Sequence, residues 1–486
     1  MFQVFVLFCF AAFTVQLAMN SDRHRLTNPK LLSEDSLRNL STNPRLWLPL
    51  IVILFFAIHT GLFLFDVTDP AAVIRGDRAS DRLAKLNELF AASQHSLEGI
   101  IFNSGVPGDF LQHAILYSIG GPYLLIGFQI ALQFIILVTT FLAAVRLTGS
   151  ATVAVATGFF VLVMPGALLN PHLLVTETWF TLLLTIGTFA ICQAVKDASK
   201  RDFLVLIYIG FASFGLASSI RPQGLLVPLA LAAYLSIAPF SDRKTILGAT
   251  VLAYAIFPIS WMTLRLLFVG EFGLGASNAD LSTNLALRAD RILGLPLDTT
   301  GRMGPSAFLA LAAGHPLATF NSVYTDAFNL ILNPGANHLF GYYLGLGETP
   351  DGFSWLRIRD EAGVFGVIAE LLRRNLALVA LFVTWTAIHA VVILGVCKTV
   401  LSNLRANYRT PSWVWVALIV VATTAASGFV AGLVRWNLRA GVEPLLALLA
   451  AYGWFSNETA FGSARKIEPR KLDTLLSNGA ENVPNP

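Results

Sequence analysis

The sequence predicts an all-α membrane protein that crosses the bilayer about ten to eleven times. Of its 486 residues, 55% are hydrophobic and only 13% are charged, whereas a soluble chain carries about 25% charged residues. The apolar runs are about 20 residues long, which is the length of a spanning helix and twice that of a β-barrel strand. The loops between alternate runs are basic, and basic loops stay on the cytoplasmic side of a membrane.

The predicted spans alternate in direction, and every short loop assigned to the inside is basic. In chain order they are residues 47–65, 122–146, 151–169, 172–195, 203–219, 223–239, 245–268, 376–397, 413–433 and 442–456. Residues 1–19 are also apolar, but basic residues follow this run instead of preceding it, unlike a secretory signal. This first run is either an eleventh span or an extension outside the functional fold.

The hydropathy pattern divides the chain into five parts. Residues 1–46 are an apolar segment with a basic cytoplasmic stretch, and residues 47–268 are a transmembrane core. A long outer region covers 269–375. A C-terminal set of transmembrane helices covers 376–456, and a cytoplasmic tail covers 457–486. Within the core, residues 66–110 form the first outer loop. Leucines at helical spacing in this loop predict a helix lying in the membrane interface, and we expect a second interfacial helix over 361–374.

Several classes of function are excluded by composition and motif. The three cysteines all lie in apolar runs, which argues against a disulfide framework and against a thiolate metal site. No segment has the spacing of a P-loop, a dinucleotide fingerprint or a nucleic-acid module. We therefore predict no metal and no cofactor.

The candidate functional residues are charged side chains at the predicted outer ends of the spans. Asp77 and Asp81 follow the first span, and Arg221, Arg435 and Arg439 end later ones. Arg435 and Arg439 are four residues apart, so a helix places them on one face. Charge this close to hydrocarbon is costly, and clustered guanidinium groups are suited to a phosphate. The alternatives are that the carboxylates face water and that the arginines reach lipid head groups.

Glu177 lies one turn into the predicted span 172–195, where a carboxylate needs a polar cavity or a partner. Arg221 is the partner that we predict, and a purely structural buried pair is the alternative reading. His172, which begins the same span, either accepts a proton or only caps the interface. All three residues fall at outer ends in the predicted topology.

Four segments, taken in order, resemble the GT-C superfamily of integral membrane glycosyltransferases. They are Gly76-Asp77, Met164-Pro165 with His172-Leu-Leu-Val-Thr-Glu177, Gly215-Leu-Ala-Ser-Ser-Ile-Arg221-Pro222, and Arg435-Trp-Asn-Leu-Arg439 with Pro444-Leu-Leu. The resemblance is to the branch of dolichyl-phosphate-mannose-protein mannosyltransferases and lipid A aminoarabinose transferases. The chain departs from that pattern where Arg78 follows Asp77 and where a tryptophan follows Arg435.

The resemblance implies a GT-C-like bundle that moves a sugar from a polyprenyl-phosphate carrier to an acceptor hydroxyl, with inversion. The acceptor is a glycolipid, a polysaccharide or a protein. Asp77 would be the general base, and the arginines would stabilise the departing phosphate. Glu177, His172 and Asp81 would contact substrate.

We expect a bacterial inner membrane with the site on its periplasmic face, because cysteines are few and no retention signal is present. Two other functions stay open at this point. One is a flippase or transporter of lipid-linked sugars, and the other is a membrane subunit without catalytic activity.

Overall fold

The computed structural model describes residues 44–68, 107–173, 176–197, 200–237, 243–270, 277–295, 299–332, 376–405, 411–430 and 441–456, together with position 272 and eight positions between 362 and 373. This part of the chain is helical and contains no strand. Its α-helices are α1 Pro44–Thr68, α2 Pro107–Thr148, α3 Ala151–Val163, α4 Pro165–Leu169, α5 Glu177–Asp197, α6 Lys200–Ile220, α7 Leu226–Ile237, α8 Arg243–Tyr254, α9 Ser260–Val269, α10 Ser277–Leu293, α11 Pro305–Gly314, α12 Pro316–Leu332, α13 Leu376–Arg405, α14 Ser412–Val430 and α15 Glu443–Phe455. Short 3₁₀ segments follow α4 and precede α7, and a π segment joins α8 to α9.

The helices are those of a multi-pass membrane protein, as predicted. Within the described ranges, six helices are long and apolar enough to span a bilayer, and α3 with α4 makes a seventh, bent candidate. Three further predicted spans coincide with shorter apolar helices: Gln223–Ile237, Ser412–Ala426 and Glu443–Phe455. The predicted segment 1–19, the tail 457–486 and nearly all of the first outer loop lie outside the described residues.

Two predicted boundaries are wrong. The helix predicted to begin at His172 begins at Glu177, because Leu173 takes an extended backbone conformation (φ −109°, ψ 154°) that ends the preceding 3₁₀ turn. An acidic residue at the start of a helix is favoured by the helix dipole. The first helix does not stop at residue 65 but continues to Thr68, so Asp66 belongs to α1 and not to the outer loop.

The long region predicted as an outer connection is partly helical. Its described portions include α10, α11 and α12. The described positions between 362 and 373 are also helical, as predicted for 361–374. In α10, Asp290 is fully buried, and its carboxylate accepts hydrogen bonds from the backbone amides of Thr299 and Thr300, each at 3.0 Å. This carboxylate ties the following loop back to the helix and satisfies two backbone donors.

Two contacts identify which helix ends lie together. The Lys196 ammonium at the end of α5 donates to the carbonyl of Arg146 near the end of α2, at 2.6 Å. Buried Cys192 contacts the carbonyl of Trp413 at the start of α14, at 3.5 Å. We call this the Lys196 end of the bundle, and the opposite end, where α5 begins, the Glu177 end. Arg146 and Lys196, which are both predicted to be cytoplasmic, fall at the Lys196 end.

Close helix packing depends on glycine at a few positions. A Cβ atom on Gly453 of α15 would lie 2.1 Å from the carbonyl oxygen of Gly395 in α13 and 2.6 Å from Thr399 Oγ1. The Thr399 hydroxyl donates to the carbonyl of Leu449 at 2.7 Å, which ties the same two helices together. Small residues at such crossings let helix backbones approach each other inside a membrane.

We expect Gly453→Ala to force α13 and α15 apart and to cost about 1–3 kcal/mol, the usual cost of overpacking. The measurement is the Tm of the purified chain in detergent. Gly61→Ala is the matched control, because nothing lies within 4 Å of a Cβ atom there. An equal loss of stability in both variants would contradict the role given to the α13–α15 crossing.

Candidate functional site

A break between α3 and α4 lies at the Glu177 end of the bundle. Met164 has an extended backbone (φ −72°, ψ 138°), as expected of a residue that precedes proline, and Pro165 starts α4. The segment Pro165–His172 consequently bends by 59° from α3. The bend carries Asn170 and His172 across the bundle toward α1, and both side chains are buried.

Three ionisable side chains meet where this bent segment reaches α1. His172 Nδ1 lies 2.7 Å from Asp66 Oδ2, and His172 Nε2 lies 2.9 Å from His59 Nδ1. The two imidazole rings meet edge to edge, with centroids 5.2 Å apart and planes 4° from parallel. All three side chains are at most 2% exposed. His172 is therefore held inside the bundle by two polar partners, which differs from the predicted alternative of a residue capping the interface.

Glu177 and Arg221 form an ion pair at the same end of the bundle. Arg221 Nη2 donates to Glu177 Oε1 at 2.5 Å, and the side chains are 14% and 3% exposed. Arg221 has an extended backbone (φ −143°, ψ 127°) between α6 and Pro222, so it lies at the turn from one helix to the next. Gly224 packs directly on the backbone of Ser218, which closes this turn tightly. The predicted pairing of Glu177 with Arg221 is confirmed.

A small cleft with a mixed polar and apolar lining lies between α2, α3, α4, α5 and α15. It is lined by Gln133, Val161, Met164, Gly166, Ala167, Asn170, Thr178, Thr181, Glu443 and Pro444. The cleft has room for about one water molecule. Thr178 is 1% exposed, and its hydroxyl has no hydrogen-bond partner among the described residues.

Glu443 is the charged residue of this cleft, and it is 2% exposed. It is the first residue of α15, where the helix dipole favours a carboxylate. Just before it, Gly441 packs on the ring of Phe180 in α5, at a distance where a Cβ atom would lie 2.7 Å away. The start of α15 is in this way fixed against the first turn of α5, which carries Glu177.

The structure brings together part of the predicted site. Segments that contain His172, Glu177 and Arg221, together with Pro444, meet at one end of the bundle. The other predicted residues lie outside the described part of the chain: Asp77, Asp81, Arg435 and Arg439.

Sequence reasoning missed three buried acidic or histidine side chains at this end, namely His59, Asp66 and Glu443. His59 lies within the apolar run 47–65, and an ionisable residue inside a span indicates a functional site by itself. That signal was available and would have found it. Two guanidinium groups, those of Arg265 and Arg288, are also almost completely buried, at 4% and 3% exposure.

No group of three or more His, Cys, Asp and Glu side chains in the described ranges has an arrangement that could hold a metal ion. In the comparisons with known proteins, no family model matches the chain, and no curated protein matches it closely enough to count as a relative.

Proposed function

We propose that the protein is a membrane glycosyltransferase that moves a sugar from a polyprenyl-phosphate carrier to an acceptor hydroxyl at the outer face of the membrane. The observation that carries this proposal is the buried Glu177–Arg221 ion pair. It joins two of the segments that resemble the GT-C superfamily. A third such segment contributes Pro444 to the cleft lined by Thr178 in the first turn of α5.

The position of the Glu177–Arg221 pair supports binding of a charged substrate at the Glu177 end of the bundle. Burying an ion pair within a membrane protein costs desolvation energy, and such groups tend to mark sites that handle charged substrates. Glu177 fixes the position of the Arg221 guanidinium at the turn between α6 and α7. A guanidinium held in this way is pre-organised for a phosphate, because the carboxylate restricts the long side chain before any ligand binds.

In the proposed step the acceptor oxygen attacks the anomeric carbon as the bond from that carbon to the phosphate oxygen breaks. The acceptor hydroxyl gives its proton to the carboxylate of Asp77, acting as general base. The carrier leaves as a polyprenyl phosphate, and its growing negative charge is stabilised by Arg221, Arg435 and Arg439. Attack on the face opposite to the leaving group inverts the anomeric configuration.

Mass analysis of envelope glycans in a deletion strain tests this proposal. We expect one sugar to be missing from a glycolipid, a polysaccharide or a protein, and to return with the wild-type gene but not with Asp77→Asn. Envelope glycans identical in the deletion and the parent strain would contradict the proposal.

Arg439→Ala should weaken donor binding and turnover together, because a phosphate clamp acts in the ground state and in the transition state. A charged hydrogen bond contributes about 1.5–3 kcal/mol, so we expect about a 10- to 100-fold loss of donor affinity. Arg439→Lys should recover only part of it, because an ammonium lacks the bidentate fork. Donor affinity and transfer rate are measured separately on the purified chain.

Arg146→Ala is the control for the clamp, since this exposed arginine lies at the Lys196 end of the bundle. Unchanged donor affinity and turnover in Arg439→Ala would make Arg439 an interface anchor.

A transporter of lipid-linked sugars is the second candidate, and the 59° bend between α3 and α4 favours it. Secondary transporters use broken spans, and the broken ends line the substrate site near the middle of the membrane. A transporter would move the donor across the bilayer intact, whereas the transferase would cleave it.

A further inference from the structure

The chain formed by His59, His172 and Asp66 is built from two separate elements, and each of its side chains is at most 2% exposed. His59 and Asp66 lie seven residues apart on α1, a rise of about 10 Å along its axis, and His172 bridges them from the bent segment. We propose that the hydrogen-bonded contact of His172 with His59 and Asp66 is a buried proton relay, in which the two imidazoles share one excess proton. This inference goes beyond the proposed sugar transfer and does not depend on it.

The chemistry of each group fixes the direction of the hydrogen bonds. An ionised carboxylate can only accept, so His172 Nδ1 carries the proton that is donated to Asp66 Oδ2 across 2.7 Å. In neutral His172 the Nε2 atom is then the acceptor. His59 must therefore donate from its Nδ1 atom across 2.9 Å, and its Nε2 atom is left as the acceptor at the far end of the chain.

An excess proton can move along this chain without breaking it. The proton binds at Nε2 of His59, and the proton on Nδ1 of His59 passes to Nε2 of His172. His172 is then an imidazolium whose charge is balanced by the Asp66 carboxylate, and His59 is neutral again. One proton enters and one N–H bond replaces another, so no further reactant is required.

Among the described contacts, Asp66 is the carboxylate that touches the histidine pair. His59 packs on the ring of Phe55, with centroids 4.2 Å apart, and this face of α1 is otherwise apolar. The neighbouring helices α3 and α4 carry no ionisable side chain. The ionisable residues in the first half of α2 are Asp109, His113, Tyr117 and Tyr123. In α5, Glu177 is paired with Arg221. An isolated imidazolium in such surroundings would be costly.

A purely structural contact and a relay predict opposite results for Asp66→Asn. The amide oxygen of asparagine accepts the same hydrogen bond from His172 Nδ1, so a structural contact is kept. The negative charge is removed, so a buried imidazolium loses its balance. The experiment uses the full chain in lipid nanodiscs with ¹³C-labelled histidine rings, and infrared difference spectra between pH 8 and pH 5 count the imidazoles that become protonated.

We expect the wild-type spectrum to contain one more protonated imidazole than His172→Gln, and Asp66→Asn to lose that same signal. His315→Gln controls for the exposed histidine at the end of α11 and should leave the buried signal unchanged. Equal thermal unfolding of wild type and Asp66→Asn shows that the fold is kept. A wild-type pair that stays neutral to pH 5 would overturn the relay. So would an unchanged signal in Asp66→Asn, or a metal ion bound to the two imidazoles in the purified protein.

Discussion

Asp77→Asn should lower the rate of sugar transfer by about 10²- to 10⁴-fold, the usual contribution of general acid–base catalysis. This corresponds to about 3–5 kcal/mol of transition-state stabilisation. Asparagine keeps the shape and hydrogen-bonding capacity of the side chain but cannot take the proton of the acceptor hydroxyl. Donor binding should persist, because in the proposed mechanism arginines, and not Asp77, hold the carrier phosphate.

The measurements are the transfer rate from a purified polyprenyl-phosphate sugar and, separately, the affinity for that donor. Asp202→Asn is the control, since Asp202 is an exposed carboxylate in the first turn of α6, at the Lys196 end. Near-normal transfer by Asp77→Asn would refute the assignment of the base. A loss of donor binding in the same variant would instead place Asp77 in ground-state recognition.

Breaking the Glu177–Arg221 ion pair should have the largest effect on stability. Glu177→Gln removes the carboxylate that pairs with a guanidinium of 14% exposure, and Arg221→Met removes the guanidinium that pairs with a buried carboxylate. Each single change should cost about 3–5 kcal/mol. The double variant should cost less than the two changes added together, because it removes both charges.

Thermal or denaturant unfolding in detergent gives the three free energies of unfolding. The pair between Glu370 and Arg373 is a matched control. Arg373 Nη2 lies 2.9 Å from Glu370 Oε1, and the Arg373 side chain is 77% exposed. Neutralising that exposed pair should change stability by less than about 1 kcal/mol. Additive effects at Glu177 and Arg221 would show that the two charges do not stabilise each other.

The sequence was sufficient to predict the helical membrane class and the positions of most spans. Long apolar runs indicate membrane helices, because a helix forms all hydrogen bonds of its backbone internally where lipid offers none. Pairing of Glu177 with Arg221 was also predictable, since each is a costly charge at the same predicted end of the bundle. The boundary at His172 was not predictable, because apolar residues continue through the break and only Pro165 and Pro171 mark it.

The buried contacts of His59 with His172 and of His172 with Asp66 could not be predicted as contacts. They join residues 113 and 106 positions apart, and a single sequence has no local signal for such a distance. Asp66 was placed in a loop because hydropathy falls there, yet a carboxylate can stay in the helix when a partner from another segment is present. Glu443 was missed because the segment compared with the GT-C superfamily begins at Pro444, one residue later.

Cleavage of the donor distinguishes a transferase from a transporter. The purified chain is placed in vesicles with radiolabelled polyprenyl-phosphate sugars, each of the common sugars in turn, and total envelope lipids and glycans serve as the acceptor pool. We predict that one donor releases polyprenyl phosphate, that release requires the acceptor pool, and that Asp77→Asn slows release by about 10²- to 10⁴-fold. Movement of the intact donor across the bilayer without cleavage, equal in wild type and Asp77→Asn, would contradict a transferase and establish a transporter.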